Sequence, residues 1–262
     1  MKEGITAGVL GLGLSAEQRE LLENKGIVVV EPGWDYDVKE FTEPAPQFFK
    51  SMTARPHLPR HFPGYDVYMW IDADAWVQDW SAVQAYIQYA QKYGFVVTPE
   101  CDRSYLPFYA ATSVLEFSFK CFVECVDKPS AQQLAQFPLI NSGVFAARQD
   151  APHWGKWSTG LGEVLAVRKK HSFLIEQTVL NVVIRTGDVK TIFLSSRYNW
   201  MCNRAMPVLA ADGVTLLDPQ APFEPLGIIH MTANMKYEQP RLLDQNGVPQ
   251  TKSLRYPGPA LF

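Results

Sequence analysis

The chain has 262 residues, of which 47% are hydrophobic, 19% charged and 13% aromatic, and its 24 basic and 27 acidic side chains leave a formal net charge of −3. That is enough apolar material for one large domain with a substantial core, and it excludes disorder, collagen and coiled coil. A near-neutral chain with no local basic patch offers no grip on a phosphate backbone, so no nucleic-acid partner is expected.

No apolar stretch approaches the roughly 20 residues of a membrane-spanning helix, and no transmembrane segment is expected. Cys101, Cys121, Cys125 and Cys202 form neither the CxxC pairs of a zinc site nor a dense disulfide framework, which points to a reducing compartment and a cytoplasmic location. Residues 5–14 follow Lys2 as a signal-peptide core would, but Glu3 interrupts the charged end and a helix begins at once at Ser15.

In chain order, residues 7–14 are an apolar, Gly-rich run. Ser15 with Gln18 makes a capping box for a helix over 16–25, Gly26 suits a left-handed C′ position, and 27–30 is a β-branched strand. A second cycle follows: a buried strand over 67–71, a capping box at Ser81 and Gln84, a helix to Tyr93, and a strand over 95–98. This βα repetition predicts one continuous α/β sheet. Between the cycles, Pro44, Pro46, Pro56, Pro59 and Pro63 leave room only for short helical pieces. Residues 104–126 read as mostly helical, 139–147 as a strand, 150–167 as a helix capped by Asp150, 175–184 as a helix, and 189–194 and 227–231 as short strands. Asn246-Gly247 signals a type I′ turn between 241–243 and 254–256, so residues 241–262 are expected to form a terminal hairpin on a single domain spanning 1–262.

The sharpest local feature is Val67-Tyr68-Met69-Trp70-Ile71-Asp72-Ala73-Asp74. Five consecutive apolar residues ask for burial on both faces, as in a central parallel strand, and two carboxylates follow at its carboxyl end, where open α/β sheets bind ligands. Period-two geometry points Asp72 and Asp74 to one side, where two hard oxygen donors can share a divalent cation that relieves their repulsion. The alternative is that Asp72 ends the strand and Asp74 caps a turn. A haloacid-dehalogenase-type phosphatase wants Thr or Val where Trp76 stands, and neither a P-loop, a strand-bound GxGxxG nor a GxSxG elbow occurs.

Four blocks in order carry a resemblance: Trp70-Ile71-Asp72-Ala73-Asp74, Asn141-Ser142-Gly143-Val144-Phe145, Glu176-Gln177-Thr178-Val179-Leu180-Asn181, and Ile228-Ile229-His230-Met231-Thr232-Ala233-Asn234-Met235-Lys236. In these the chain resembles the GT-A glycosyltransferases, most closely the retaining nucleotide-sugar transferases of the family 8 type. The resemblance implies a Rossmann-like, mostly parallel sheet flanked by helices. It also implies transfer of a hexosyl group from a nucleotide diphosphosugar, UDP-glucose or UDP-galactose, to a hydroxyl acceptor such as a glycan. By the same resemblance Asp72, Asp74 and His230 are expected to hold Mn²⁺, with Mg²⁺ as the alternative, and Asp72 also to face the ribose. Lys236 is expected at the diphosphate, Asn141 and Ser142 at the acceptor or sugar pocket, and Gln177 near the anomeric carbon, with Glu176 as a second catalytic candidate. Lys50 and Arg55 are expected to add positive charge toward the donor.

The sequence departs from the family pattern at Ala233, where the family has Gly, and at Glu176-Gln177-Thr178, where it has Asp-Gln-Asp. The resemblance further implies a strand ahead of residues 7–14, for which Met1 leaves no room, so the chain is expected to lack a βα unit of about 30 residues. Two other readings stay open: a non-catalytic or N-terminally truncated sugar-nucleotide-binding relative, and a metal-dependent phosphoesterase resting on Asp72 and Asp74 alone.

Overall fold

Strand β1 (Gly8–Leu10) runs parallel to β2 (Val28–Val30) across helix α1 (Ala16–Asn24), with Gly8 opposite Val28. The capping box is present: Ser15 N donates to Gln18 Oε1 at 3.0 Å and Gln18 N to Ser15 Oγ at 3.2 Å. Gly26 reverses the chain at φ +74°, a conformation that costs glycine little. This computed structural model describes residues 4–111, 113–237, 240–250 and 252–256.

The proline-rich segment forms only short pieces, α2 (Phe49–Ala54), a 3₁₀ turn over Arg55–His57 and α3 (Leu58–His61), with Pro56 and Pro59 in first turns where a missing N–H does no harm. Then come β3 (Val67–Ile71), β4 (Ala75–Val77), α4 (Trp80–Tyr93), β5 (Phe95–Pro99), α5 (Leu106–Ala111), α6 (Val114–Phe122), α7 (Lys128–Leu134), β6 (Ile140–Arg148), α8 (His153–Arg168) and α9 (Ile175–Thr186). The chain closes with the short strands β7 (Ile192–Phe193), β8 (Trp200–Met201), β9 (Val208–Leu209), β10 (Leu216–Leu217), β11 (Ile228–His230), β12 (Leu242–Asp244) and β13 (Pro249–Gln250).

Several caps differ from expectation. Asp79, two residues before Ser81, caps α4, because its Oδ1 reaches Ser81 N at 2.9 Å. Asp150 caps nothing, since Arg148 takes its carboxylate and α8 starts after Pro152. Helix α7, which periodicity misses in so short a segment, is opened by Asp127 accepting from Ser130 N at 3.0 Å, with Pro129 in the first turn.

The expected continuous sheet is instead several hydrogen-bonded groups. The largest has the order β3-β6-β5-β7, in which β6 is antiparallel to both neighbours and β7 is parallel to β5. Strands β3, β5 and β7 therefore point one way and β6 alone is reversed. The strand buried throughout its length up to Ala147 is β6, whereas β3 lies at the edge of this group and only Tyr68 of it is fully buried. Helix α4 covers one face, where Ala82, Tyr86 and Ala90 pack on Val96, Val144 and Ala146; α8 and α9 cover the other, where Trp157, Leu161, Ile175 and Leu180 meet Phe95 and Phe145.

A second group, β4-β11-β8, adjoins the first, and a third, β10-β9-β12-β13, gathers the tail. The terminal hairpin pairs Leu242 with Gln250, closer to the turn than expected, because Gly247 alone takes a positive φ and Gly247 N bonds Asp244 O at 2.9 Å. That is a type I turn with a glycine bulge, not a type I′ turn. Since β12 also pairs with β9, this hairpin is woven into a sheet; residues 251 and 257–262 of the expected tail lie outside the described ones.

Candidate active site and cation-binding cluster

The site forms where the chain crosses between two sheets. Strand β3 ends at Ile71, and Ala75 N donates to Asp72 O at 2.9 Å, so residues 72–75 make a tight turn that feeds β4 in the next sheet. Asp72 N is held by Gly143 O of β6 at 2.8 Å, and Asp74 O accepts from Met231 N at 2.9 Å. Antiparallel pairing sets Ala75 opposite His230 and so brings His230 beside Asp74. The two aspartates converge through this turn, not through the pleat of one extended strand.

One ligand atom each from Asp72, Asp74 and His230 lie within 4.8 Å of one another. His230 Nε2 is 3.2 Å from Asp74 Oδ1 and 3.8 Å from Asp72 Oδ2. Asp72 Oδ1 is already engaged by Arg55 Nη2 at 2.5 Å and Trp70 Nε1 at 2.6 Å, which leaves Oδ2 as the free oxygen. Lys236, on the 3₁₀ turn Ala233–Lys236, reaches Asp74 Oδ2 at 3.0 Å. Burial works to raise the Asp74 carboxyl, but the Lys236 ammonium pulls the other way and helps to hold it below the ordinary range.

The residues present fit a divalent cation. Two carboxylates and an imidazole form a hard oxygen set with one borderline nitrogen. Gly143 keeps the space between them open: a Cβ there would lie 2.4 Å from His230 Cε1, 2.7 Å from Asp72 Oδ2 and 2.8 Å from Asn141 Oδ1. Only glycine leaves that cradle unfilled.

Behind the cluster lies a buried polar layer. The register between β5 and β6 jumps between Val97 and Thr98, so that Val97 faces Phe145 while Thr98 faces Asn141. Such a bulge releases strand donors: Ser142 N donates to Gln177 Oε1 at 3.1 Å and Gly143 N to Asn141 Oδ1 at 2.9 Å. Arg55 ties this layer to the cluster, with Nη1 on Glu176 Oε2 at 2.5 Å and on Ser142 Oγ at 3.2 Å, and its guanidinium over the Trp70 ring at 5.2 Å. Glu176 is fully buried, which pushes its carboxyl above the ordinary range against the opposing pull of Arg55. Asn181 takes a structural role, with Oδ1 on Ile140 N at 2.7 Å and Nδ2 on Ile140 O at 2.9 Å, pinning the start of β6.

The structure thus gathers Asp72, Asp74, His230, Lys236, Arg55, Asn141, Ser142, Glu176 and Gln177. Lys50 is not brought into these contacts; its Nζ lies over the Trp34 ring at 5.4 Å. Sequence reasoning missed Asn199, which is 2% exposed and places Oδ1 2.9 Å from His230 Nδ1. Its neighbours Tyr198 and Trp200 make no motif, so only the spatial partner reveals it. Ala233 adopts φ +56°. A cleft of about 380 Å³ is walled by Cys202, Asn203, Ala205, Met206, Ala233 and Met235; Cys202 N donates to His230 O at 3.0 Å and Met235 precedes Lys236 in the chain. The four cysteines are unpaired thiols, and among the described residues no helix is long and apolar enough to cross a membrane.

No protein-family model matches the chain, and no curated protein matches it in sequence. Among solved structures it is similar to a crystal structure of an active-site mutant of LgtC, with a TM-score of 0.50 and 14% identity over 87% of this chain and 76% of that one. The apo structure of the bifunctional glycosyltransferase WbbM gives a TM-score of 0.47 and 13% identity, over 86% of this chain and 40% of that chain. The strand order, the helical cover and the LgtC likeness together give this chain a GT-A-like α/β fold.

Proposed function

We propose that this chain, as a single domain, is a metal-dependent retaining glycosyltransferase of the family 8 type, moving a hexosyl group from UDP-glucose or UDP-galactose to an acceptor hydroxyl. The observation that carries the reading is the convergence of Asp72, Asp74 and His230 around the space left by Gly143, with Lys236 alongside. Asp72 Oδ2, Asp74 Oδ1 and His230 Nε2 would hold Mn²⁺, or Mg²⁺ in its place, which when bound supplies positive charge to the leaving diphosphate.

The chain's own groups divide the remaining work. Lys236 holds the diphosphate with a fixed cation. Arg55 and Trp70 lock Asp72 Oδ1 and so aim Oδ2. Gln177 Oε1 is taken by Asn141 and Ser142, while its Nε2 donates to none of the described residues and is the group that faces the sugar near its anomeric carbon. Glu176, shut behind Arg55 and Ser142, acts through Arg55 and does not touch the sugar. The acceptor enters by the cleft lined by Met206, Ala233 and Met235, and its hydroxyl proton passes to a diphosphate oxygen on the leaving-group face.

The test is release of UDP from UDP-glucose or UDP-galactose with and without Mn²⁺, for the wild type and for Asp74→Asn. The expected result is release that needs the cation and falls by about a thousandfold or more in the variant, whose circular dichroism stays native. Normal turnover by the variant would overturn the reading, as would phosphate release from simple monoesters that ignores a change at Lys236.

A further inference from the structure

Four buried side chains link the sugar-facing layer to the histidine: Gln177, Asn141, Asn199 and His230 are 7%, 8%, 2% and 2% exposed. Three of them are amides, whose oxygen and nitrogen ends look alike in shape, and the fourth is an imidazole with two tautomers. The backbone resolves every one of these ambiguities. A main-chain N–H can only donate. Ser142 N, 3.1 Å from Gln177, makes the facing amide atom Oε1, and Gly143 N, 2.9 Å from Asn141, makes that atom Oδ1.

With its polarity set, Asn141 turns Nδ2 toward Gln177 Oε1 at 3.3 Å and Oδ1 toward Asn199 at 3.1 Å. Asn199 must present Nδ2 to that oxygen, which leaves Oδ1 facing His230 Nδ1 at 2.9 Å. An amide oxygen only accepts, so Nδ1 carries the proton. The lone pair of the neutral ring then sits on Nε2, the nitrogen turned toward Asp72 and Asp74.

We propose that Asn199 is a positioning residue that holds His230 in its Nδ1–H tautomer, through an amide relay whose direction is set by the Ser142 and Gly143 N–H groups. Two features of the fold build it. The bulge in β6 frees those two donors, and β8 pairs Trp200 and Met201 with Ile229 and His230, which delivers Asn199 to the imidazole. A hydrogen-bond partner of this kind orients a ligating histidine and raises its basicity. That consequence for a cation rests on the metal reading above; the tautomer does not.

The test begins with ¹⁵N spectra of histidine-labelled, cation-free full-length chain at alkaline pH, with His230 assigned by a His230→Gln control. The expected signal is a protonated Nδ1 and an unprotonated Nε2. Asn199→Leu removes the acceptor and should populate the Nε2–H form, weakening Mn²⁺ binding, read by electron paramagnetic resonance, by about 10- to 100-fold. Asn199→Asp gives up the Nδ2–H bond to Asn141 Oδ1 but keeps an oxygen on Nδ1–H, and should restore both the tautomer and an affinity within about tenfold of wild type. A wild-type spectrum showing Nε2–H overturns the proposal without any variant, as does an Asn199→Leu protein with unchanged tautomer and affinity. A wild type with the Nδ1–H signal that binds neither Mn²⁺ nor Mg²⁺ would instead sink the metal reading and support the relay.

Discussion

Two places in the molecule set aspartate against histidine and a cationic side chain, and they differ in what is left over. At Asp35, His61 Nε2 lies 3.1 Å from both carboxylate oxygens and Arg60 pairs with Oδ1, while the Asp35 side chain is only 2% exposed. Its acceptors are used up by neighbours in sequence and space. At Asp72, Arg55 and Trp70 hold one oxygen, the other accepts no hydrogen bond among the described residues, and Gly143 keeps the volume beside it empty. Charge density alone does not separate a structural ion cluster from a ligand site. Unused acceptor capacity beside enforced space does.

The largest expected effect concerns the support behind the open cluster. Arg55→Met leaves Glu176 and part of Asp72 without their buried partner and should destabilise the fold by about 3–5 kcal/mol, whereas adding Glu176→Gln should recover much of that loss. Urea unfolding of the single and double variants measures both. A loss below about 1 kcal/mol would mean that the guanidinium behaves like an ordinary surface pair.

Gly143→Ala tests the space itself without changing any charge. Its Cβ would collide with His230 and Asp72, so Mn²⁺ affinity should fall by about 100-fold, roughly 2.7 kcal/mol, with native secondary structure retained. Calorimetric titration decides it, and wild-type affinity would refute the cradle.

A third histidine shows what burial without any acid does. His153 stacks on Phe95 at 4.1 Å, bonds Thr191 through Nε2 and leaves Nδ1 buried without a partner. Burial holds its ring down to about 4. The fold therefore keeps it neutral while the unfolded chain protonates it near 6.5, so its contribution is intact above that pH and is lost as the pH falls from about 6.5 through about 4, roughly 3 kcal/mol in all. His153→Phe should flatten this acid limb in melts taken across the interval; an unchanged slope would assign the limb to carboxylates.

At the closed cluster, Asp35→Asn should cost about 2 kcal/mol of stability and leave Mn²⁺ affinity unchanged. A matching loss of affinity would erase the distinction between the two clusters. The smallest effect is Ala233→Gly, which relieves a left-handed alanine and should raise stability by about 1 kcal/mol in the same unfolding assay.

Much of the site was legible because its residues sit in short blocks whose ends meet: Asp72 and Asp74 close β3, Asn141 and Ser142 open β6, Glu176 and Gln177 open α9, and His230 ends β11. What sequence could not supply was the relation between blocks. The apolar run of residues 67–71 looked central, yet the reversed strand β6 took the middle and left β3 at the edge of its group. Asn199 carries no local signal, because its role depends on a strand pairing and on a bulge far away in the chain. Lys50, expected near the donor because it precedes β3 in the chain, turned to Trp34, a contact that helix phase within so short an element does not reveal.

The turn over residues 72–75 has a mechanical consequence. It is a seam: Asp72 is fastened to β6 of one sheet, Asp74 to the end of β11 in the next, and the stretch between them is a single residue, Ala73. Any ligand that draws the two carboxylates together acts as a stitch between the sheets. Its occupancy should then be registered along both strands that meet at the seam, as slower hydrogen exchange in β4 and β11.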